Sequence, residues 1–296
     1  MNGVLVLAVL LLTPPPHHAR SATPSQAAAL DTARIEQLTG ARGKLDTREG
    51  VFKVSVPRTD LSVTVGGVKL APASGLTSWA AFERAGAGEM VMGDLVLTEN
   101  QVNPVMSAAL ESGLEVTALH NHFLGETPRV MFMHIAGTGG PTRLAEAVGR
   151  LFAMLHEPGT PIPSADVDPA STQLDTASIA GILGHRGDLG GGVYKVTIGR
   201  TAQMHGHPVG RTMGVNTWAA FAGTDDRAVV DGDFAMLESE LQPVLRALRH
   251  ADIQIVAIHQ HMTEETPRIM FLHYWGVGRA ADLARGVRAA LDRTKP

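Results

Sequence analysis

The chain contains one unit of sequence twice, and this repeat constrains the fold more than any other feature. The stretch LHNHFLGETPRVMFMH at 119–134 returns as IHQHMTEETPRIMFLH at 258–273. At the same interval, SWAAF at 78–82 matches TWAAF at 217–221, and GDLVLTE at 93–99 matches GDFAMLE at 232–238. Such a repeat predicts two copies of one folded unit rather than a single irregular domain of 296 residues.

Four segments follow from the repeat. We assign residues 1–28 to a presequence, 29–156 to the first unit, 157–172 to a proline-rich linker and 173–296 to the second unit. The presequence holds the apolar run VLVLAVLLL at 4–12, which is shorter than the about 20 residues of a membrane-spanning helix and typical of a signal peptide. We expect cleavage at Ser21 or within 27–29, and export to the periplasm or the medium.

Composition narrows the chemistry. The chain has no cysteine, which excludes disulfides, thiolate metal sites and lipid attachment to a cysteine. A net charge of −4 and an aromatic content of 4% argue against nucleic acid as a partner. No membrane span is predicted. A ligand from the cell envelope is an expected partner, and any transition metal must be bound without thiolates.

The coarse layout is the same in both copies. Alternating apolar residues predict strands near 51–56, 62–70, 78–83, 89–97, 115–123 and 129–135. A helix is predicted to begin at Pro104 and its equivalent at Pro243, because proline is tolerated in a first helical turn. A last helix is predicted over 141–155. The fold class is therefore α+β: two tandem homologous units, each an antiparallel sheet with packed helices, which we expect face to face about a pseudo-twofold axis.

The repeated stretch predicts a hairpin that gathers histidines. Residues two apart on a strand point to the same side, so His120 and His122 form a pair. If the turn LGETP closes a hairpin with matching parity, His134 lies on that side too, diagonal to His120. The second copy repeats the arrangement with His259, His261 and His273.

Three imidazoles and one carboxylate suit a divalent transition metal such as Zn, Mn, Fe or Cu. The predicted metal ligands are His120, His122, His134 and Glu126 in the first copy and His259, His261, His273 and Glu265 in the second. Either glutamate is alternatively a general base for a metal-bound water. A metal-free ligand site and a purely structural polar network are the competing interpretations, and whether the protein is an enzyme stays open.

Two further residue pairs recur. Arg129 and Arg268 are candidate ligand-binding residues, since a guanidinium clamps a carboxylate or phosphate with two hydrogen bonds. The alternative is an ion pair between each arginine and the glutamate of its turn. Trp79 and Trp218 are predicted to be core residues of strands.

The motifs ALHNHFLGETPRVMFMH, AIHQHMTEETPRIMFLHYWG and GVNTWAAF resemble a bacterial domain-of-unknown-function family that contains the lipoproteins LppY and LpqO. The resemblance implies an exported or envelope protein and no particular activity, and the missing cysteine sets this chain apart from the lipid-anchored members. HNHFLGE and HQHMTEE also fit part of the first metal motif of cupins, which would imply a bicupin-like metalloenzyme. The glycine that ends the cupin motif is missing, however, and helices inside each unit do not suit a jelly roll.

Overall fold

A computed structural model describes residues 29–295, so the predicted presequence lies outside the described residues. Within that range the six α-helices are α1 (Thr32–Thr39), α2 (Glu99–Glu111), α3 (Pro141–Met154), α4 (Thr176–Leu183), α5 (Glu238–His250) and α6 (Ala280–Leu291). Short 3-10 turns span Pro72–Ser74, Pro169–Ser171 and Arg211–Met213. None of the helices in the described range combines the length and apolar character that crossing a bilayer requires.

Strands make up the rest of the framework. The first copy contributes β1 (Gly43–Asp46), β2 (Val51–Pro57), β3 (Thr64–Val65), β4 (Val68–Lys69), β5 (Thr77–Ala85), β6 (Gly88–Thr98), β7 (Glu115–His120), β8 (Glu126–Thr127) and β9 (Val130–Gly139). The second contributes β10 (Asp188–Gly190), β11 (Val193–Gly199), β12 (Ala202–Met204), β13 (His207–Val209), β14 (Asn216–Gly223), β15 (Ala228–Leu237), β16 (Gln254–His259) and β17 (Ile269–Gly278).

Twelve of these strands form one antiparallel sheet in the order β1-β2-β5-β6-β9-β7-β16-β17-β15-β14-β11-β10. The predicted α+β class is confirmed. The two copies meet edge to edge, however, through the equivalent strands β7 and β16, rather than face to face. This pairing covers an inner sheet edge that each copy would otherwise leave unpaired.

All six helices pack on one face of the sheet, and the main apolar core lies between the two layers and runs through both copies. Alternation along β9 shows the two faces: Met133 and Ile135 belong to this core, while Phe132 and His134 point the other way. We call the helix-free side the open face. An open sheet with helices on one side is not a jelly roll, so the cupin interpretation is wrong.

Two small lobes lie against the open face. In the first copy β3 pairs with β4 and with β8, and Val63 and Leu76 pack on Phe132. In the second copy β12 pairs with β13, and Val209 and Val215 pack near Phe271. The strand predicted over 62–70 is thus a short hairpin in this lobe, outside the large sheet.

Side-chain amides hold the seam between the copies. Within the described residues β7 and β16 share a single residue pair, Leu119 with Ile258. Next to it, Asn103 of α2 donates to the carbonyl of Ile255 at 3.2 Å and accepts from its N–H at 2.8 Å. The equivalent Gln242 of α5 does the same for Val116, at 2.8 and 3.1 Å. Each central helix therefore satisfies the backbone of the other copy's central strand, at the bulge where that strand's pairing with its own hairpin partner is interrupted.

The predicted starts of the central helices at Pro104 and Pro243 are wrong, because α2 and α5 begin five residues earlier. Gln101 accepts from the N–H of Thr98 at 3.0 Å and so caps the earlier start. Pro104 has no N–H for the carbonyl of Asn100. That carbonyl instead accepts from the N–H of Thr160 in the linker at 2.9 Å.

Candidate metal centre

The hairpin register determines which side chains meet on the open face. His120 lies opposite Phe132, and His134 lies opposite Ala118, so His134 is diagonal to His120 as the sequence predicts. On its other side, His134 pairs with Asp94 of β6. β7 ends at His120, which leaves His122 just beyond the strand.

In the first copy the three imidazoles form a stack beside Phe132. The Nε2 atoms of His120 and His134 are 3.0 Å apart, and the ring centroids of His120 and His122 are 5.1 Å apart. The ring of His122 lies 3.3 Å from that of Phe132 and nearly parallel to it. Burial, followed by the charge of His120, lowers the pKa of His122. The imidazoles share one side of the hairpin.

The second copy brings a carboxylate into the cluster. One ligand atom from each of Asp233, His259 and His273 lies within 4.8 Å of the other two, and no other such group of three occurs among residues 29–295. The rings of His259 and His273 are 4.8 Å apart. Nε2 of His259 is buried and has no hydrogen-bond partner among the described residues. His261 stacks on Phe271, and its Nε2 is 3.7 Å from Oδ2 of Asp233.

Asp233 carries the strongest electrostatic signal of the cluster. Its side chain is 4% exposed, and burial raises the pKa of this carboxyl to about 6. The charge of His259 and the N–H of Leu272, which donates to Oδ1 at 3.2 Å, act in the opposite direction. The positive charge near this carboxylate is therefore too small to compensate for its burial.

The aspartates Asp94 and Asp233 were missed by sequence reasoning. Both are buried at equivalent positions, and Oδ1 of Asp94 has no hydrogen-bond partner in the described part of the chain. The signal that would have found them is the repeated aspartate of GDLVLTE and GDFAMLE, an ionisable residue kept within an apolar strand in both copies.

The turn glutamates do not join the cluster. Glu126 and Glu265 are both buried, and Glu265 accepts from the N–H of Ile269 at 3.1 Å. The carboxylate grouped with His259 and His273 is that of Asp233, not Glu265. Their assignment as ligands or bases stays a prediction.

The candidate clamp arginines are exposed and lie near helix starts. Arg129 is 3.7 Å from Glu99, and Arg268 is 3.8 Å from Glu238. The expected ion pairs with Glu126 and Glu265 are therefore replaced by pairs with the first turns of α2 and α5.

The two repeated tryptophans are not core residues. Trp79 and Trp218 are half-buried on the open face, where the ammonium groups of Lys53 and Lys195 each lie 3.9 Å from a ring centroid. The prediction failed because these side chains alternate with the buried residues of their strands, and the helices cover only one face.

Comparisons with known proteins add a family but no activity. Among curated proteins none matches this chain. A solved structure that resembles it is that of PduB, a trimeric bacterial microcompartment shell protein, at 13% identity over 85% of this chain and 89% of that one. The TM-score of 0.20 is too low to support any argument from that likeness. The family model described as Domain of Unknown Function (DUF1259) matches residues 33–154 and again 177–293. The chain therefore belongs to this family and carries its domain in two copies.

Proposed function

We propose that the second copy binds a divalent first-row transition metal through Asp233, His259 and His273. The observation that carries the proposal is the convergence of three ligand atoms within 4.8 Å. Two imidazoles and one carboxylate suit Fe(II), Mn(II) or Zn(II). Three protein ligands leave coordination positions for water or a substrate, so such a site is able to support chemistry.

The electrostatics support a cation at this position. Asp233 is buried without an arginine or lysine partner among the described residues, which is costly unless positive charge compensates it. The buried Nε2 atom of His259, which has no hydrogen-bond partner among the described residues, is a second group that a metal would satisfy. Asp231 adds a carboxylate on the same strand where the first copy has Met92. The second copy is therefore the more attractive to a cation.

Metal analysis tests the proposal. The full-length protein, purified without chelators, should contain about one equivalent of a first-row metal per chain. After EDTA treatment, titration with Zn(II) or Mn(II) by calorimetry should restore about one site. His259→Ala should weaken metal affinity by about 100-fold or more, because even residues that only orient a ligand are worth about 10–100-fold.

The repeat provides the matched control. His120→Ala removes the equivalent imidazole from the first copy and should leave the affinity of the second-copy site within about threefold, since its ligands are unchanged. Equal loss of metal in both variants, or a wild-type protein that binds none, contradicts the assignment. If the wild type binds a second equivalent of metal that only His120→Ala loses, the predicted first-copy ligands also form a site.

We also propose that the chain is exported. The support is the apolar run at 4–12 and the resemblance to envelope lipoproteins. Expression of the full chain in a bacterium, followed by fractionation and N-terminal sequencing, tests this. A mature protein outside the cytoplasm that begins between residues 22 and 30 is expected, and an uncleaved cytoplasmic protein contradicts it.

A further inference from the structure

A cavity of about 630 Å³ opens at the seam between the copies, where β7 has ended and β16 has begun. Its volume is typical of small-molecule sites, which span about 300–1,000 Å³. Both copies and the linker supply apolar walls, notably Phe123, Met131, Ile162, Ile255, Val256 and Trp275. The cavity is thus a product of the tandem arrangement.

One carboxylate in the cavity, that of Glu126, has no ion-pair partner among the described residues. Glu126 lines the cavity, is only 9% exposed, and its Oε1 has no hydrogen-bond partner among the described residues. The other charged residues of the lining, Glu99 and Arg129, are paired with each other at 3.7 Å and are half-exposed or more. A carboxylate oxygen that is buried without a hydrogen-bond donor destabilises the protein. A ligand that donates a hydrogen bond to this carboxylate therefore gains binding free energy.

We infer that this cavity binds a small, largely apolar molecule that carries a protonated amine. The amine pairs with the carboxylate of Glu126, and the apolar body lies against the walls. A cationic donor is favoured over a hydroxyl because only the cation adds opposite charge to the hydrogen bond with the carboxylate. A carboxylate ligand is disfavoured because it would place a second negative charge beside Glu126.

The same cavity reaches the proposed metal centre. His259 is one of its lining residues and also one of the three clustered ligands. A molecule in the cavity therefore meets the cluster at His259. This last step rests on the proposed function, whereas amine binding by Glu126 does not.

Three probes of similar shape test the inference: phenethylamine, phenethyl alcohol and hydrocinnamate. Binding to the full-length protein in EDTA is followed by ligand-observed NMR and calorimetry. We expect the amine to bind about tenfold tighter than the alcohol, which corresponds to about 1.4 kcal/mol, and hydrocinnamate to bind most weakly. Glu126→Gln should weaken the amine by about tenfold and change the alcohol by less than about threefold.

The second copy again supplies a control, since Glu265 is the equivalent turn glutamate but is absent from the lining of this cavity. Glu265→Gln should leave amine affinity within about twofold. If Glu126→Gln fails to fold by circular dichroism, Ile162→Trp, at a half-exposed linker position, fills the cavity and should abolish amine binding. Equal binding of the three probes, or amine binding unchanged by either cavity variant, overturns the inference.

Repeating the amine titration with Mn(II)-loaded protein tests the metal proposal separately from the cavity inference. Paramagnetic broadening of the bound amine is expected. It should disappear in His273→Ala, which removes a metal ligand that does not line the cavity, while amine affinity persists. Amine binding in a protein that takes up no metal would leave the cavity assignment intact and reject only the metal centre. Amine binding to the Mn(II)-loaded protein without broadening would reject the link between the two.

Discussion

The equivalent aspartates Asp94 and Asp233 have different surroundings in the two copies. They occupy equivalent places opposite His134 and His273. Only Asp233 falls within 4.8 Å of two histidine ligand atoms, and its pKa is raised to about 6 by burial. Without a metal, the ionised carboxylate of Asp233 lowers the stability of the folded protein.

Replacing this carboxylate should therefore stabilise the metal-free protein. In EDTA at pH 8, Asp233→Asn should raise the free energy of unfolding by about 1–2 kcal/mol, because the neutral amide avoids burying a charge and its oxygen still accepts from Leu272. The folded-state pKa lies above the unfolded value, so the penalty on the wild type is full above about pH 6 and fades as the carboxylate protonates. Urea unfolding at pH 8 and pH 4.5 measures the difference.

The advantage of Asp233→Asn should shrink toward pH 4.5 and reverse in saturating metal, which stabilises only the wild type, by about 2.7 kcal/mol at 100 times the dissociation constant. An unchanged or lowered stability of the variant in EDTA at pH 8 would contradict the prediction.

At the scale of elements, an arginine after an early strand connects that strand to the central helix in each copy; Arg58 is buried and Arg200 is largely buried. Arg58 follows β2, and its guanidinium reaches the carbonyl of Val96 and Oε1 of Gln101. The equivalent Arg200 reaches the carbonyl of Ala235 at 3.2 Å and the carboxylate of Glu240. In the first copy Asp60 balances the charge instead, and hydrogen bonding from Arg58 lowers the pKa of Asp60.

This difference allows the Arg200–Glu240 ion pair to be tested, because the first copy has glutamine at the position of Glu240. Arg200→Met should lower the free energy of unfolding by about 3–5 kcal/mol, since it leaves the buried carboxylate of Glu240 without its ion-pair partner. Adding Glu240→Gln, the residue found in the first copy, should recover at least half of the loss. Urea denaturation measures both variants.

The control for Arg200→Met is Glu238→Gln, an exposed change in α5, the helix that carries Glu240, which should stay within about 1 kcal/mol. If the double variant is no more stable than Arg200→Met alone, the loss does not come from an uncompensated charge on Glu240.

At the scale of the whole molecule, the two copies are joined through their packing. A single apolar core runs through both, and the seam combines one strand pair with reciprocal amide contacts. Because the shared core leaves neither copy independently covered, we expect a single unfolding transition.

Asn103→Leu should weaken this seam. It leaves the N–H and carbonyl of Ile255 without their partners, which should cost about 2–4 kcal/mol of unfolding free energy. Asn100→Leu, at an exposed site on the same helix, should cost less than about 0.5 kcal/mol. Thermal unfolding with two spectroscopic probes measures stability and cooperativity together; equal costs for the two variants would contradict the role of the amide.

Local pattern was sufficient for parts of the candidate site. The two-residue period of HNH and the short turn correctly predicted that His134 lies diagonal to His120. The apolar spacing in the last helix likewise predicted α3 within one residue of its bounds. The glutamates were expected at the histidines because they are close in sequence. The nearby carboxylate comes instead from β15, a strand that precedes α5 and the hairpin in the chain.

The sequence by itself determined the duplication, the α+β class and the gathering of imidazoles on one side of each hairpin, because all three depend on periodicities within short segments. Only the tertiary structure decided that β7 and β16 pair edge to edge, that Asp233 rather than Glu265 meets the histidines, and that a cavity forms between the copies. Those outcomes depend on contacts between distant segments, which are selected by burial and by satisfying backbone polar groups across the whole sheet.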